Sequence, residues 1–434
     1  MKLFIKSLYK FLLPFIALSL TSCIDDPVNP EGNMVSGSLY DPNGTKIRTL
    51  ADAHLISPGN QPISMLPYGS DFTINTFTSP FDIVITSFRT SVTFKFQDVE
   101  GSAIKPVFFD PTQAALLHYE TFALRIRIPE IRKNQTRIYT KLLTDKFYIP
   151  EREYHQLHEG DSILYHVIKM REEEYSHNVI GSLMIFEVDI TGGPANMNYQ
   201  RFGIKAKDTI NDNNTIVFTE EELQYDIPET QVTYRNIPPA GRNSSGNKIA
   251  VTFPGYEKNN DIEMYNSLPD EFTMNIPLLP IEHKMKYTGQ YNGGSFYERA
   301  FKTKIFDPVE SGEIIHNEPI TLVAPADGDS LLYGLSEFKI NDNEPGGIYL
   351  YEFIQIISYS EFRILRFITG RKELRLADIT CRGFERQPST RYYWTVCKYP
   401  GYQNTGEFLS TIYFYDTRYN STQMTERRTF FTGP

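Results

Sequence analysis

Apolar and polar residues alternate with a period of two through most of the chain, in runs of four to eight residues separated by Gly, Pro, Asn and Asp clusters. This is the pattern of half-buried antiparallel strands. The stretch Phe122-Ala123-Leu124-Arg125-Ile126-Arg127-Ile128 shows it clearly, with Arg125 and Arg127 facing water and their neighbours a core. Comparable runs are Phe81–Ile85, Val92–Phe96, Leu183–Ile190, Lys248–Phe253, Glu271–Ile276, Tyr349–Ile356, Tyr392–Val396 and Arg428–Thr432. Only Arg171–Ser176 reads as a helical turn or loop. The prediction is an all-β protein in four successive units, residues 34–99, 100–205, 206–312 and 313–434, arranged as a string.

The first stretch breaks the pattern. Lys2, Lys6 and Lys10 precede the apolar run Phe11–Leu20, which ends in Leu20-Thr21-Ser22-Cys23. A basic start, a short apolar middle and small residues at the end form a secretory signal over residues 1–22, and Pro14 argues against a spanning helix. The ending resembles a bacterial lipobox, which implies that Cys23 becomes the first mature residue and carries diacylglyceryl and N-acyl (palmitate-type) lipid. Residues 23–33 then read as a lipidated tether. Asp25 and Asp26 in it resemble the surface-export signal of Bacteroidota lipoproteins, which implies a place on the outer face of the outer membrane.

Two units carry further resemblances. Val35-Ser36-Gly37-Ser38, the Pro42-Asn43-Gly44 turn and Gly69-Ser70-Asp71-Phe72-Thr73-Ile74 resemble a prealbumin-like carboxypeptidase regulatory domain. The opening Pro325-Ala326-Asp327-Gly328, the Tyr392-Tyr393-Trp394 strand and the final Arg428-Thr429-Phe430-Phe431 resemble a bacterial fibronectin type III domain. That resemblance implies a core built on Trp394 and makes Tyr392 the candidate tyrosine corner. The units between them are expected to be Ig-like or similar β-sandwiches, so the fold class is all-β, in tandem Ig-like and fibronectin-like sandwiches.

Composition narrows the function classes. Aromatics make up 14% of the chain, which favours strands. The formal charge is −10, and losing the three signal lysines makes the mature chain more acidic still. Phosphate backbones are therefore repelled and no nucleic-acid partner is expected; membrane attachment must come from lipid.

Candidate chemistry is sparse. Cys381 and Cys397 either form a disulfide or are two small buried hydrophobes. His155, His158 and His166 lie close in sequence, but strand spacing turns His155 and His158 to opposite faces, and no metal site is assigned. Asp327-Gly328-Asp329-Ser330, Asn341–Glu344 and Asp208–Asn213 could offer oxygens to calcium, yet Asp, Asn and Gly are ordinary turn residues, and turns are the better reading. No nucleophile elbow or phosphate-cradling glycine loop precedes a helix, so no catalytic residue is assigned and no cofactor is expected beyond the lipid. A place where a sugar could stack is Tyr287, Tyr291, Phe296 and Tyr297, which sit among amide and glycine residues; its alternative is an aromatic-lined hairpin. The tripeptides at Ser162, Thr209 and Ser330 resemble the Asp-Ser/Thr-apolar acceptor of O-glycosylation in exported Bacteroidota proteins. The expectation is a non-catalytic envelope lipoprotein with a binding, adhesion or structural role, whose partner is an extracellular glycan or a surface protein. The alternatives are a glycan-capture lipoprotein of a polysaccharide-uptake system, and an enzyme or accessory subunit with a site at a domain junction.

Overall fold

The computed structural model describes residues 33–433 except 41–50, 56–61, 64–70, 77–79, 88–90, 102, 105–118, 133–135, 153, 173–174, 192–197, 257–260, 296, 333–335, 382 and 411–420. The signal, Cys23, most of the tether, the Asn43-Gly44 turn and Phe296 lie outside the described residues. Within them the chain is all-β, folded as tandem Ig-like and fibronectin-like sandwiches. The only α-helix among the described residues is the short Thr405–Ser410.

The second unit packs two sheets around Phe122, Leu124, Ile126, Leu142, Leu164, Ile168, Leu183 and Ile185. One sheet runs Ile149–Pro150, Ile163–Arg171, Tyr119–Arg127, Thr215–Val217; the other runs Tyr154–Leu157, Thr136–Thr144, Asn178–Asp189, Asn198–Asn211, Leu223–Tyr225. Its boundary differs from the expected residue 205. Thr215–Val217 pairs in parallel with Arg125–Arg127, and Leu223–Tyr225 closes the edge beside Arg201–Gly203, so the unit reaches Tyr225.

The five-stranded sheet is apolar on both faces. Ile138, Leu142 and Leu183 point into the second unit's own core, while Tyr139, Leu143, Met184, Phe186, Val188 and Tyr199 join the core of the third unit with Val232, Tyr234, Ile249, Met274 and Tyr287. The continuous apolar run Leu183–Phe186 records this double burial, since a strand covered on both sides has no polar face to alternate with. The third unit ends later than residue 312 as well, because Gly312–Ile315 pairs with Tyr234–Ile237 and the His316 ring bonds the Asn236 side chain at 2.9 Å.

The fourth unit sets a three-stranded sheet, Thr321–Ala324, Glu337–Asn341 and Glu373–Arg375, against Ile348–Ile356, Phe362–Thr369, Arg391–Tyr399 and Arg428–Thr432. Between them Phe338 packs edge to face against Phe353, Trp394 and Phe430, with Trp394 fully buried. The Tyr392 hydroxyl accepts the backbone N–H of Gln387, five residues upstream, at 3.1 Å, and Gln355 Nε2 at 2.6 Å.

The units do not lie as a string. Val92–Val99 of the first unit adds in parallel to Phe362–Thr369 of the fourth, with Val92 opposite Ile364 and Phe96 opposite Ile368. Phe81, Ile85, Phe94 and Phe96 share one core with Ile348, Leu350, Ile368, Tyr399 and, from the short helix, Phe408. Ser421–Met424 meanwhile pairs with both Arg299–Lys302 and Cys397–Lys398. One sheet of 15 strands thus runs from the third unit through the fourth to the first. The exposed edge of a fibronectin-like sheet has been covered by another strand, which removes a template for unwanted pairing.

Candidate functional site

Strand Lys284–Asn292 carries two of the four aromatic residues read as a place where a sugar could stack, Tyr287 and Tyr291, and its pleat turns both away from solvent. Met285, Tyr287, Gly289 and Tyr291 alternate inward while Lys286, Thr288, Gln290 and Asn292 face outward. Tyr287 and Tyr291 are buried, Tyr287 against Tyr234 at 5.2 Å and Tyr291 against the His316 ring at 5.0 Å. They are core residues and offer no stacking platform. Tyr297 is 39% exposed, but the Arg427 guanidinium lies over its ring at 4.2 Å.

The outward side chains of the same strand line a groove of about 650 Å³ on the solvent face of the third unit's larger sheet. Lys248 and Ala250 stand on one neighbouring strand, Arg299 and Phe301 on the other, and Asp261 and Glu263 on the strand beyond Lys248. Register fixes this arrangement: Lys248 opposes Thr288, Phe301 opposes Gln290, and Arg299 opposes Asn292. Lys286 Nζ lies 2.6 Å from Asp261 Oδ2, and Lys248 Nζ lies 3.5 Å from Glu263 Oε2. Among the described residues Arg299 reaches no carboxylate, and it donates through Nε to the Met424 sulfur at 3.4 Å. Asp261 Oδ1 is buried without a hydrogen-bond partner. The groove therefore presents hydroxyl, amide, ammonium and guanidinium donors and a half-buried Phe301 ring, while the Asp261 Oδ1 atom is closed off from it. Such a set can hydrogen-bond a polyhydroxylated ligand and stack one of its apolar faces. Period-two counting from Tyr287 could have found it, since every other residue of that strand had to face away from the aromatics.

The other candidates are placed as follows. Cys381 and Cys397 are both free thiols, so no disulfide joins them. Cys397 lies in the core shared with the first unit, Cys381 packs on the fourth unit's own core, and burial pushes each thiol up to about 12. His166 is buried with Nδ1 2.7 Å from Thr140 Oγ1, and desolvation lowers its pKa to about 3. His155 is half-buried and His158 exposed, and no group of three or more metal-ligating side chains occurs among the described residues. The acidic loops turn their carboxylates on backbone N–H groups: Asp329 Oδ2 accepts the Ala326 N–H within its own turn, while Asp327 Oδ1 accepts the Thr429 N–H and Asp212 Oδ1 the Ala123 N–H of distant strands. Thr209 and Ser330 are exposed on strands, and Ser162 is half-buried just before one.

No protein-family model matches the chain, and no curated protein matches it. Among solved structures, domains A168-A170 of titin align over 73% of this chain and 99% of theirs, at 10% identity and a TM-score of 0.17. The full-length major pilin SpaD from Corynebacterium diphtheriae aligns over 65% of this chain and 96% of its own, at 7% identity and a TM-score of 0.13. The Bacillus anthracis TIE protein aligns over 84% and 68%, at 10% identity and a TM-score of 0.15. Likeness at this level says nothing of ligand or activity.

Proposed function

We propose that the protein is a non-catalytic lipoprotein of the cell envelope, held to the outer membrane by lipid on Cys23, facing the exterior, with a binding, adhesion or structural role. The observation that carries this reading is Leu20-Thr21-Ser22-Cys23 directly behind a basic and then apolar run. No helix among the described residues is long and apolar enough to cross a membrane. Sandwiches locked together through shared cores suit a rigid surface body better than a hinged one. Growth with a labelled fatty acid tests the anchor: label should enter the wild-type protein and be absent from Cys23→Ala, and label retained in that variant would refute it.

A second reading, capture of a glycan, is favoured by the groove. Its hydroxyl, amide and charged groups match a saccharide's hydroxyls, and Arg299, without a carboxylate partner among the described residues, favours one bearing a carboxylate or sulfate. Affinity electrophoresis through gels of neutral and acidic polysaccharides tests it. Retardation in an acidic gel that is lost in Arg299→Ala supports capture; equal migration in every gel excludes it.

A further inference from the structure

The fourth unit buries a lysine and an aspartate in contact. Lys398 stands near the end of strand Arg391–Tyr399, and Asp342 directly follows Glu337–Asn341 of the facing sheet. Their side chains are 1% and 2% exposed, with Nζ 2.6 Å from Oδ2. Removing both ions from water costs several kcal/mol each, a large outlay for one contact in a unit that already has a full aromatic core. The surroundings are built around the pair. The Tyr349 hydroxyl donates to Asp342 Oδ2, and the Glu344 backbone N–H donates to Oδ1 at 3.0 Å. A second carboxylate, on Glu344, lies 4.0 Å from Nζ and is oriented by the Asn317 amide at 2.6 Å. Gly347, at φ +99°, lets the backbone pass over the lysine stem, where a Cβ would sit 2.9 Å from Lys398 Cε.

We propose that Lys398 and Asp342 condense into an intramolecular isopeptide bond, with Glu344 carrying the proton, so that a covalent link joins the two sheets of the fourth unit. Burial pushes the Asp342 carboxyl up, but the hydrogen bonds from Lys398, Tyr349 and the Glu344 N–H outweigh it and hold it below the usual carboxylate range, so the pair starts ionised. Transfer of a proton from Nζ to the carboxylate leaves an amine and an acid and removes both charges from the dry site, where charge is costly. The Nζ lone pair then forms a bond to Cγ, and the carbonyl electrons move onto the oxygen held by the donor beside it. Glu344 takes a proton from nitrogen and delivers it to the hydroxyl, the C–O bond breaks, and water leaves. An ammonium and a carboxylate thereby become one amide and one water, Glu344 ends as it began, and no oxidant or reductant is used. Contact enforced by the fold replaces the activation that amide formation otherwise needs.

Tandem mass spectrometry of tryptic peptides from the denatured, purified chain tests this. The wild type should yield one branched species that joins the Asp342 and Lys398 peptides, is lighter than their sum by one water, about 18 Da, and is uncut after Lys398. Lys398→Arg keeps the cation but cannot form this amide, and should give linear peptides with unchanged fluorescence of Trp394. Glu344→Gln, at a partly exposed position, should lower the branched fraction at least about tenfold, the scale of a lost general acid–base group. Linear peptides cut after Lys398 in the wild type would overturn the proposal, and so would a branched species that persists in Lys398→Arg. An undiminished branched fraction in Glu344→Gln would overturn the role given to Glu344.

Discussion

Phe186→Ala probes the joint between the second and third units. The ring is 1% exposed, stacked on Tyr199 at 5.2 Å and 6.2 Å from Tyr139, in a core contributed by both units. Losing its transfer free energy costs about 1.5–3 kcal/mol, and the cavity left between two paired sheets brings the total to about 3–5 kcal/mol. For a cooperative block of about 200 residues each kcal/mol is worth ~2–4 °C, so the melting temperature should fall by roughly 6–20 °C. Calorimetry of the mature chain reads both the shift and the number of transitions. Because Phe186 touches both units, their unfolding should occur as one transition that moves as a whole. Tyr199→Phe, which removes the hydroxyl donated to the Asn275 carbonyl at 2.8 Å, should lower the same transition by about 1 kcal/mol. Two separate transitions with only one displaced, or a loss below about 1 kcal/mol for Phe186→Ala, would refute the shared core.

Acid should destabilise the protein through its buried histidines. Desolvation lowers His166 to about 3 and His316 to about 4, below the ordinary 6.5, so the unfolded chain takes up their protons first; their contribution is complete above pH 6.5 and is lost as pH falls through 6.5 toward 4. Denaturant midpoints should fall between pH 7 and 4.5 and fall less in His166→Gln, whereas an equal slope in that variant would exclude its role. Gly383→Ala should loosen the first unit from the fourth: φ there is +85°, and a Cβ would stand 2.4 Å from Thr86 Cγ2 and 2.8 Å from Thr93 Oγ1. Limited proteolysis should then cut the first unit sooner while Trp394, the single tryptophan, keeps its emission; an unchanged cleavage rate would contradict the docked arrangement.

The strands were legible because alternation is local. Arg125 and Arg127 against Leu124 and Ile126 declare one wet and one dry face without reference to the rest of the chain. Tyr287 and Tyr291 fall to the aromatic-lined hairpin and not to a sugar platform: four residues apart on a strand, they share a face, and the polar residues between them define the other. Unit boundaries were missed where short strands return to distant partners, as Thr215–Val217 does to Arg125–Arg127 and Gly312–Ile315 to Tyr234–Ile237. Three- and four-residue strands carry too few positions for a period to show. The folding of the first unit onto the fourth was hidden, because Val92–Val99 alternates apolar residues with Thr93, Lys95 and Gln97 as a half-exposed strand would, yet those polar side chains point into a second covered face. The approach of Lys398 to Asp342 left no mark, since it joins residues on separate sheets.

The account rests on lipid attachment at Cys23 and display outside the cell. Protease shaving of intact cells that express the wild type or Cys23→Ala, followed by immunoblotting of membrane and soluble fractions, tests both together. The wild type should sediment with outer membrane and be degraded on intact cells, while Cys23→Ala should leave the membrane fraction and escape the protease. A wild-type protein fully protected until the cells are broken, or a Cys23→Ala protein that stays membrane-bound and accessible, would contradict it.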